Sequence, residues 1–133
     1  WSEDRCPAAD SITEQWRQVI ARPNVGDSAH AVREVVMDLN AGVRAGRLNG
    51  GVLLVKSGAK PACYANRCGH LRAILGACDE AVREGIRSLA ANVLIVEYPH
   101  QSPNAIRAMV ERFVTTPRPR LPQVVRDLQE VGR

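Results

Sequence analysis

Apolar residues recur along this chain at two different periods, and the change of period divides it. Ile12, Trp16, Val19 and Ile20 recur at helical spacing behind Ser11-Ile-Thr-Glu14, a capping box that predicts a helix start, and Pro23 closes the segment. A second helix is predicted from Asp27 or Ser28, with the stripe Val32, Val35, Val36, Leu39 and Val43, closing at Gly46 and Asn49-Gly50-Gly51. Val52-Leu-Leu-Val55 and Asn92-Val-Leu-Ile-Val-Glu-Tyr98 are instead short continuous apolar runs, which suit strands covered on both faces of a parallel sheet. Between them, Leu71, Ile74, Leu75, Cys78, Val82, Ile86 and Leu89 read as one long helix, and Pro61-Ala-Cys-Tyr64 as a short extra strand. Ser102-Pro103 then opens a helix with the stripe Ile106, Met109, Val110 and Phe113. The expected fold class is α/β: a small helix-rich sandwich with a short parallel sheet in α-α-β-α-β-α order, and extended termini.

The 133 residues suit one domain. The pattern divides it into an N-terminal arm (1–10), a single α/β domain (11–114), a Pro/Arg connector (115–123) and a C-terminal amphipathic segment (124–133). That last segment carries Val124, Val125, Leu128 and Val131, and either folds back on the domain or docks on another protein. No apolar run is long enough to span a bilayer. Formal net charge is +4, and with only Lys56 and Lys60 as lysines, 16 of the 18 basic residues are Arg. These are scattered over polar helix faces, with acids in helical reach such as Asp79 for Arg83 and Glu84 for Arg87. Aromatic residues are only 4% of the chain, too few for base-stacking platforms, so nucleic acid is disfavoured as a partner.

The chain has four cysteines, Cys6, Cys63, Cys68 and Cys78. An even number in a compact chain fits a disulfide framework, and the start at Trp1 fits a processed N-terminus. The expected pairs are Cys63 with Cys68 across a short loop, and Cys6 with Cys78 pinning the N-terminal arm. Cys63-x4-Cys68-x-His70 with Cys78 also contains the donor types of a zinc site, but without the two-residue spacing of a zinc knuckle. His30 followed by Cys63 and Cys68 has an order similar to that of zinc-dependent nucleobase deaminases. Val32 stands where that chemistry needs Glu, so the reading is not adopted, and neither a metal nor any other cofactor is expected.

Nucleophile-elbow, phosphate-loop and dinucleotide fingerprints are all missing from the sequence. Ligand sites in open α/β sheets form beyond the carboxyl ends of strands, where helix N-termini also favour anions. The ligand-binding candidates are therefore Lys56 and Ser57 after the first strand, and Tyr98, His100, Gln101 and Ser102 after the second. With no complete catalytic set, no catalytic residue is assigned. The expectation is an exported, disulfide-stabilised, non-catalytic domain in the extracellular space or periplasm, acting on a protein partner as accessory subunit, adaptor or inhibitor. The alternative is a small secreted hydrolase or toxin-like effector using His100 or His30, with zinc at Cys63/Cys68.

Overall fold

A computed structural model describes residues 1–132. Three parallel strands, β1 (Gly51–Val55), β2 (Ala73–Leu75) and β3 (Val93–Glu97), form a sheet in the order β1-β3-β2. In register, Leu53 lies opposite Ile95, and Leu75 pairs with the same residue from the other side. The described residues form six α-helices: α1 (Pro7–Gln15), α2 (Val32–Arg44), α3 (Ala59–Arg67), α4 (Asp79–Leu89) and α5 (Pro103–Thr115) beside the sheet, and α6 (Pro122–Val131), which has no buried residue.

Alternation along the strands separates two cores. Leu54, Leu94 and Val96 face Ile12 of α1, Val82 and Ile86 of α4, and Ile106, Met109, Val110 and Phe113 of α5. Leu53, Val55, Val93 and Ile95 face Val35, Val36 and Leu39 of α2 and Ala65 of α3. The molecule is thus a three-layer α/β sandwich, and the expected α/β class with a short parallel sheet is what the chain forms. Near the sheet start, a Cβ on Gly50 would lie 2.1 Å from the Asn92 carbonyl oxygen, so only glycine lets these two backbone segments approach.

Several elements differ from the pattern-based reading. The first helix begins at Pro7, not Ser11, because proline fits the first helical position and Cys6 is extended ahead of it. Trp16 and Ile20 follow that helix in a turn, yet still pack on the core. The second helix is preceded by a 3-10 turn, Ala29–Ala31, carrying His30. The single long helix expected over 71–89 is strand β2 followed by α4, and the short strand expected at 61–64 lies inside α3. Leu71, Ile74 and Leu75 imitate a helical stripe, but Gly76 packs where a Cβ would meet Leu94 and Val96, and the chain turns there.

Asp79, expected to pair within its own helix, instead accepts from Arg112 of α5, Nε at 3.0 Å and Nη2 at 3.3 Å. The hydrogen bond and the positive charge of Arg112 hold the Asp79 carboxyl below its ordinary value, against a smaller effect of burial. A depressed carboxyl stabilises the folded state above its unfolded pKa of about 3.9 and loses that contribution as pH falls through the native value. Asp79→Asn therefore lowers Tm at neutral pH, and the difference from wild type closes as thermal melts are repeated below about pH 4.

Candidate functional site

In a strand-then-helix order, each helix begins at the carboxyl end of the strand before it. Here α3, α4 and α5 follow β1, β2 and β3, so three helix N-termini gather at one edge of the sheet. Residues 1–3 extend the sheet on the outer side of β1: Ser2 bridges Leu54 in parallel, Leu54 N–H donates to Trp1 O at 2.9 Å, and Glu3 N–H to Leu54 O at 2.7 Å. The turn into α1 thereby joins the same edge. Asp4 sits in the left-handed region at φ 56°, and its N–H donates to Asp27 O at 2.6 Å, bringing in the approach to α2.

The side chains at this edge form a connected polar set. Lys56 Nζ donates to Asp4 Oδ2 at 2.5 Å, an ion pair that raises the lysine above its ordinary pKa, first through the hydrogen bond and then through charge. The Lys56 backbone N–H donates to Glu3 Oε2 at 2.7 Å, and Gly58 N–H to Glu97 Oε2 at 2.9 Å. Two carboxylates, Glu3 from the N-terminal segment and Glu97 from β3, thus clamp the loop that follows β1. Tyr98 donates its hydroxyl proton to Glu3 O at 3.1 Å, and desolvation raises its phenol, keeping it a neutral donor.

The candidates read from sequence reach this edge in unequal roles. Lys56 and Tyr98 converge on Glu3, and Ser57 is exposed on the clamped loop. His100 and Gln101 line a cavity of about 150 Å³ with Glu97, Leu75, Gly76 and Ala77, where Gln101 also donates to Ala77 O at 3.2 Å. Ser102 is committed to capping α5, its hydroxyl accepting from Ala105 N–H at 3.1 Å. Glu3, Asp4 and Glu97 were not anticipated. Their signal was one carboxylate at the end of a legible strand, one in the bridged segment 1–3 and one in the turn just after it, a stretch too short to show a period.

A larger cavity, about 570 Å³, lies elsewhere, along the flank of β1 among Val19, Ile20, Leu48 and Phe113. Its volume exceeds that of the edge cavity, but the edge is where polar groups converge.

All four cysteines are free thiols. Cys6 is buried under α1 while Cys78 is exposed, and the Cys68 thiol donates to the Tyr64 carbonyl at 3.4 Å. Neither expected disulfide, Cys6–Cys78 or Cys63–Cys68, is present. Cys78 left the core because its segment is a strand-to-helix junction, so its assignment to an inward helical stripe fails. Among the described residues no group of three or more His, Cys, Asp or Glu is placed to hold a metal, which removes the arrangement needed for zinc at Cys63/Cys68.

The class defined by this architecture is a small Rossmann-like α/β sandwich with its polar groups at the carboxyl edge. Solved structures with the same fold include type B ribose 5-phosphate isomerases. The Thermotoga maritima enzyme superposes with a TM-score of 0.79 at 17% identity, over 92% of this chain and 89% of that one. The Trypanosoma brucei enzyme gives 0.74 at 19%, over 95% and 89%, and that of Anaplasma phagocytophilum 0.71 at 21%, over 98% and 92%. No family model matches the chain. No curated protein matches it by sequence.

These findings overturn the exported, disulfide-stabilised, non-catalytic domain, together with its accessory-subunit role. The stapling is absent, and the structures sharing the fold are enzymes. The extracellular or periplasmic location rested on paired cysteines and falls with them, as does the secreted hydrolase or toxin alternative. Among the described residues, no helix is long and apolar enough to cross a membrane.

Two outcomes follow for this region. Exposed Cys63 and Cys78 react with a thiol reagent in the native protein while buried Cys6 waits for denaturant, and unreduced intact mass retains every thiol hydrogen. Glu97→Ala leaves the buried Gly58 N–H without its acceptor and costs about 1–3 kcal/mol in urea unfolding, whereas Glu97→Gln, which keeps an acceptor oxygen, recovers most of that loss.

Proposed function

We propose that the chain binds a small phosphorylated sugar at the carboxyl edge of its sheet and interconverts its aldose and ketose forms. The observation that carries this reading is the Lys56–Asp4 pair, a cation and a carboxylate fixed side by side at the end of β1. Its support from likeness is the fold shared with ribose 5-phosphate isomerases. The reaction moves one proton from C2 to C1 through an enediolate, while the hydroxyl proton passes from O2 to O1. It needs a base near carbon and positive charge near oxygen.

In this assignment the Asp4 carboxylate takes the C2 proton and returns it to C1, and the Lys56 ammonium stabilises the negative charge that develops on oxygen. Neutral Tyr98 is a further hydrogen-bond donor within the same cluster. The phosphate is received by the start of α3, where the N-terminal amides of Ala59 and Lys60 are unpaired within the helix. His100 and Gln101 line the neighbouring cavity, where Gln101 is held to Ala77.

The test is proton NMR of ribose 5-phosphate in D2O with the purified protein. Deuterium entering C2 together with ketose signals is the expected result. Lys56→Ala and Asp4→Asn should each reduce the rate by about 10²-fold or more. Absence of exchange, combined with no change in amide shifts of residues 56–60 on adding the sugar phosphate, would overturn the reading.

A further inference from the structure

We propose that the outer face of α2 and α3 docks an acidic, amphipathic helical segment of a partner protein. The two layers of helices that cover the sheet carry charge of opposite sign. On α2, the turn after it and α3, the five cations Arg33, Arg44, Arg47, Lys60 and Arg67 oppose only Glu34 and Asp38, a net +3. On α1, α4 and α5, six acids oppose four arginines, a net −2. Five of the ion pairs among the described residues belong to that second layer and the turn after α1, and the remaining one is Lys56–Asp4. The cations of the α2/α3 side are exposed, and none enters an ion pair among the described residues.

Helical spacing sets these residues in two stripes. Arg33, Met37 and Arg44 share one side of α2, and Lys60, Tyr64 and Arg67 share one side of α3. The two helices pack side by side against the same core. α2 leads into the start of β1 and α3 follows its carboxyl end, so both run antiparallel to that strand and parallel to each other. Arg33 and Lys60 therefore lie toward the carboxyl edge of the sheet, and Arg44 and Arg67 toward the opposite end. Met37, 54% exposed, and Tyr64, 38% exposed, lie between these cations. Along α2 the two arginines are separated by about 16 Å of helix, the length of about three turns of an incoming helix.

The apolar centre of each stripe decides the kind of partner. A phosphate backbone is held by cations alone and makes no use of Met37. An anionic bilayer takes up a broad apolar face, which two side chains do not supply. A helix with acids on both sides of an apolar row satisfies both parts of the pattern, in the helix-in-groove mode of recognition. Met37 is an unbranched side chain that adapts to varied apolar surfaces, and Tyr64 offers a large contact area with a polar tip. Arginine forks accept carboxylates in two-point geometry, and these arginines have no internal pair to break first. Docking here is independent of the isomerase reading, which involves Lys56 and Asp4 instead.

The experiment is a fluorescence anisotropy titration of the full chain into a labelled peptide of about 20 residues, with a row of Leu flanked by Glu at helical spacing. The expected result is binding with a Kd of about 1–100 µM at low salt, weakened at least about tenfold as ionic strength rises from about 0.05 to 0.5 M. Arg44→Glu combined with Arg67→Glu should weaken it at least about tenfold, and so should Met37→Ser combined with Tyr64→Ser, with circular dichroism showing the fold retained. No binding at about 1 mM protein overturns the proposal, as does binding indifferent to both double substitutions. A Glu/Ser peptide of equal charge that binds as tightly shows a site for any polyanion and overturns it. Tighter binding of a DNA duplex or of phosphatidylserine vesicles overturns it as well, assigning the face to that class of partner.

Discussion

The rest of the structure depends on β3. It is the central strand, hydrogen-bonded in parallel to β1 on one side and to β2 on the other, and Val93, Leu94, Ile95 and Val96 are buried on both faces. Neither neighbour touches the other, so each takes its register from β3 alone. Burial of such side chains contributes about 1.5–3 kcal/mol each, as an upper range, and a one-residue slip would exchange the residues serving the α1/α4/α5 core with those serving the α2/α3 core. Packing on both faces therefore fixes the register, and the register fixes where β1 and β3 end.

That shared ending determines where the polar edge forms. Because the strands are parallel, Lys56 and Tyr98 emerge at the same edge, and the extra pairing of residues 1–3 adds Glu3 and Asp4 beside them. Backbone amides that would otherwise be left open at the ends of strands are taken by Glu3 and Glu97. These carboxylates hold the Lys56–Gly58 loop in one geometry. The lysine is held in turn by Asp4, whose left-handed backbone turns the chain toward α1. A cation so placed is pre-oriented at little further entropic cost, the condition under which electrostatic stabilisation of a developing charge is most effective.

Much of this was legible in the sequence and some was not, for reasons particular to individual residues. The runs at 52–55 and 93–96 are continuous and apolar because both faces are covered, and Ser102-Pro103 declares a helix start that the structure keeps. The segment 71–78 misled because Leu71, Ile74, Leu75 and Cys78 happen to follow a helical spacing, while β2 has three residues, fewer than two full periods of a strand. The cysteines misled because an even number was read as pairing, whereas the fold buries Cys6 and leaves Cys63 and Cys78 on the surface. Lys56 and Tyr98 could be placed from the topology of two strands, but Asp4 could not, since three residues of edge pairing leave no periodic trace.

The two cavities show why volume and chemistry separate in this fold. Along the flank of β1 the walls are side chains of helices that pack for cohesion, so what remains there is apolar space with arginines at the rim. At the carboxyl edge strands stop and helices start, so unpaired amides, a lysine and carboxylates are unavoidable and must satisfy one another or a ligand. The recess beside β1 is walled by apolar side chains, whereas at the edge the polar groups are paired with one another. The sequence supplies both kinds of unfinished surface, and the parallel sheet puts them at different places on the molecule.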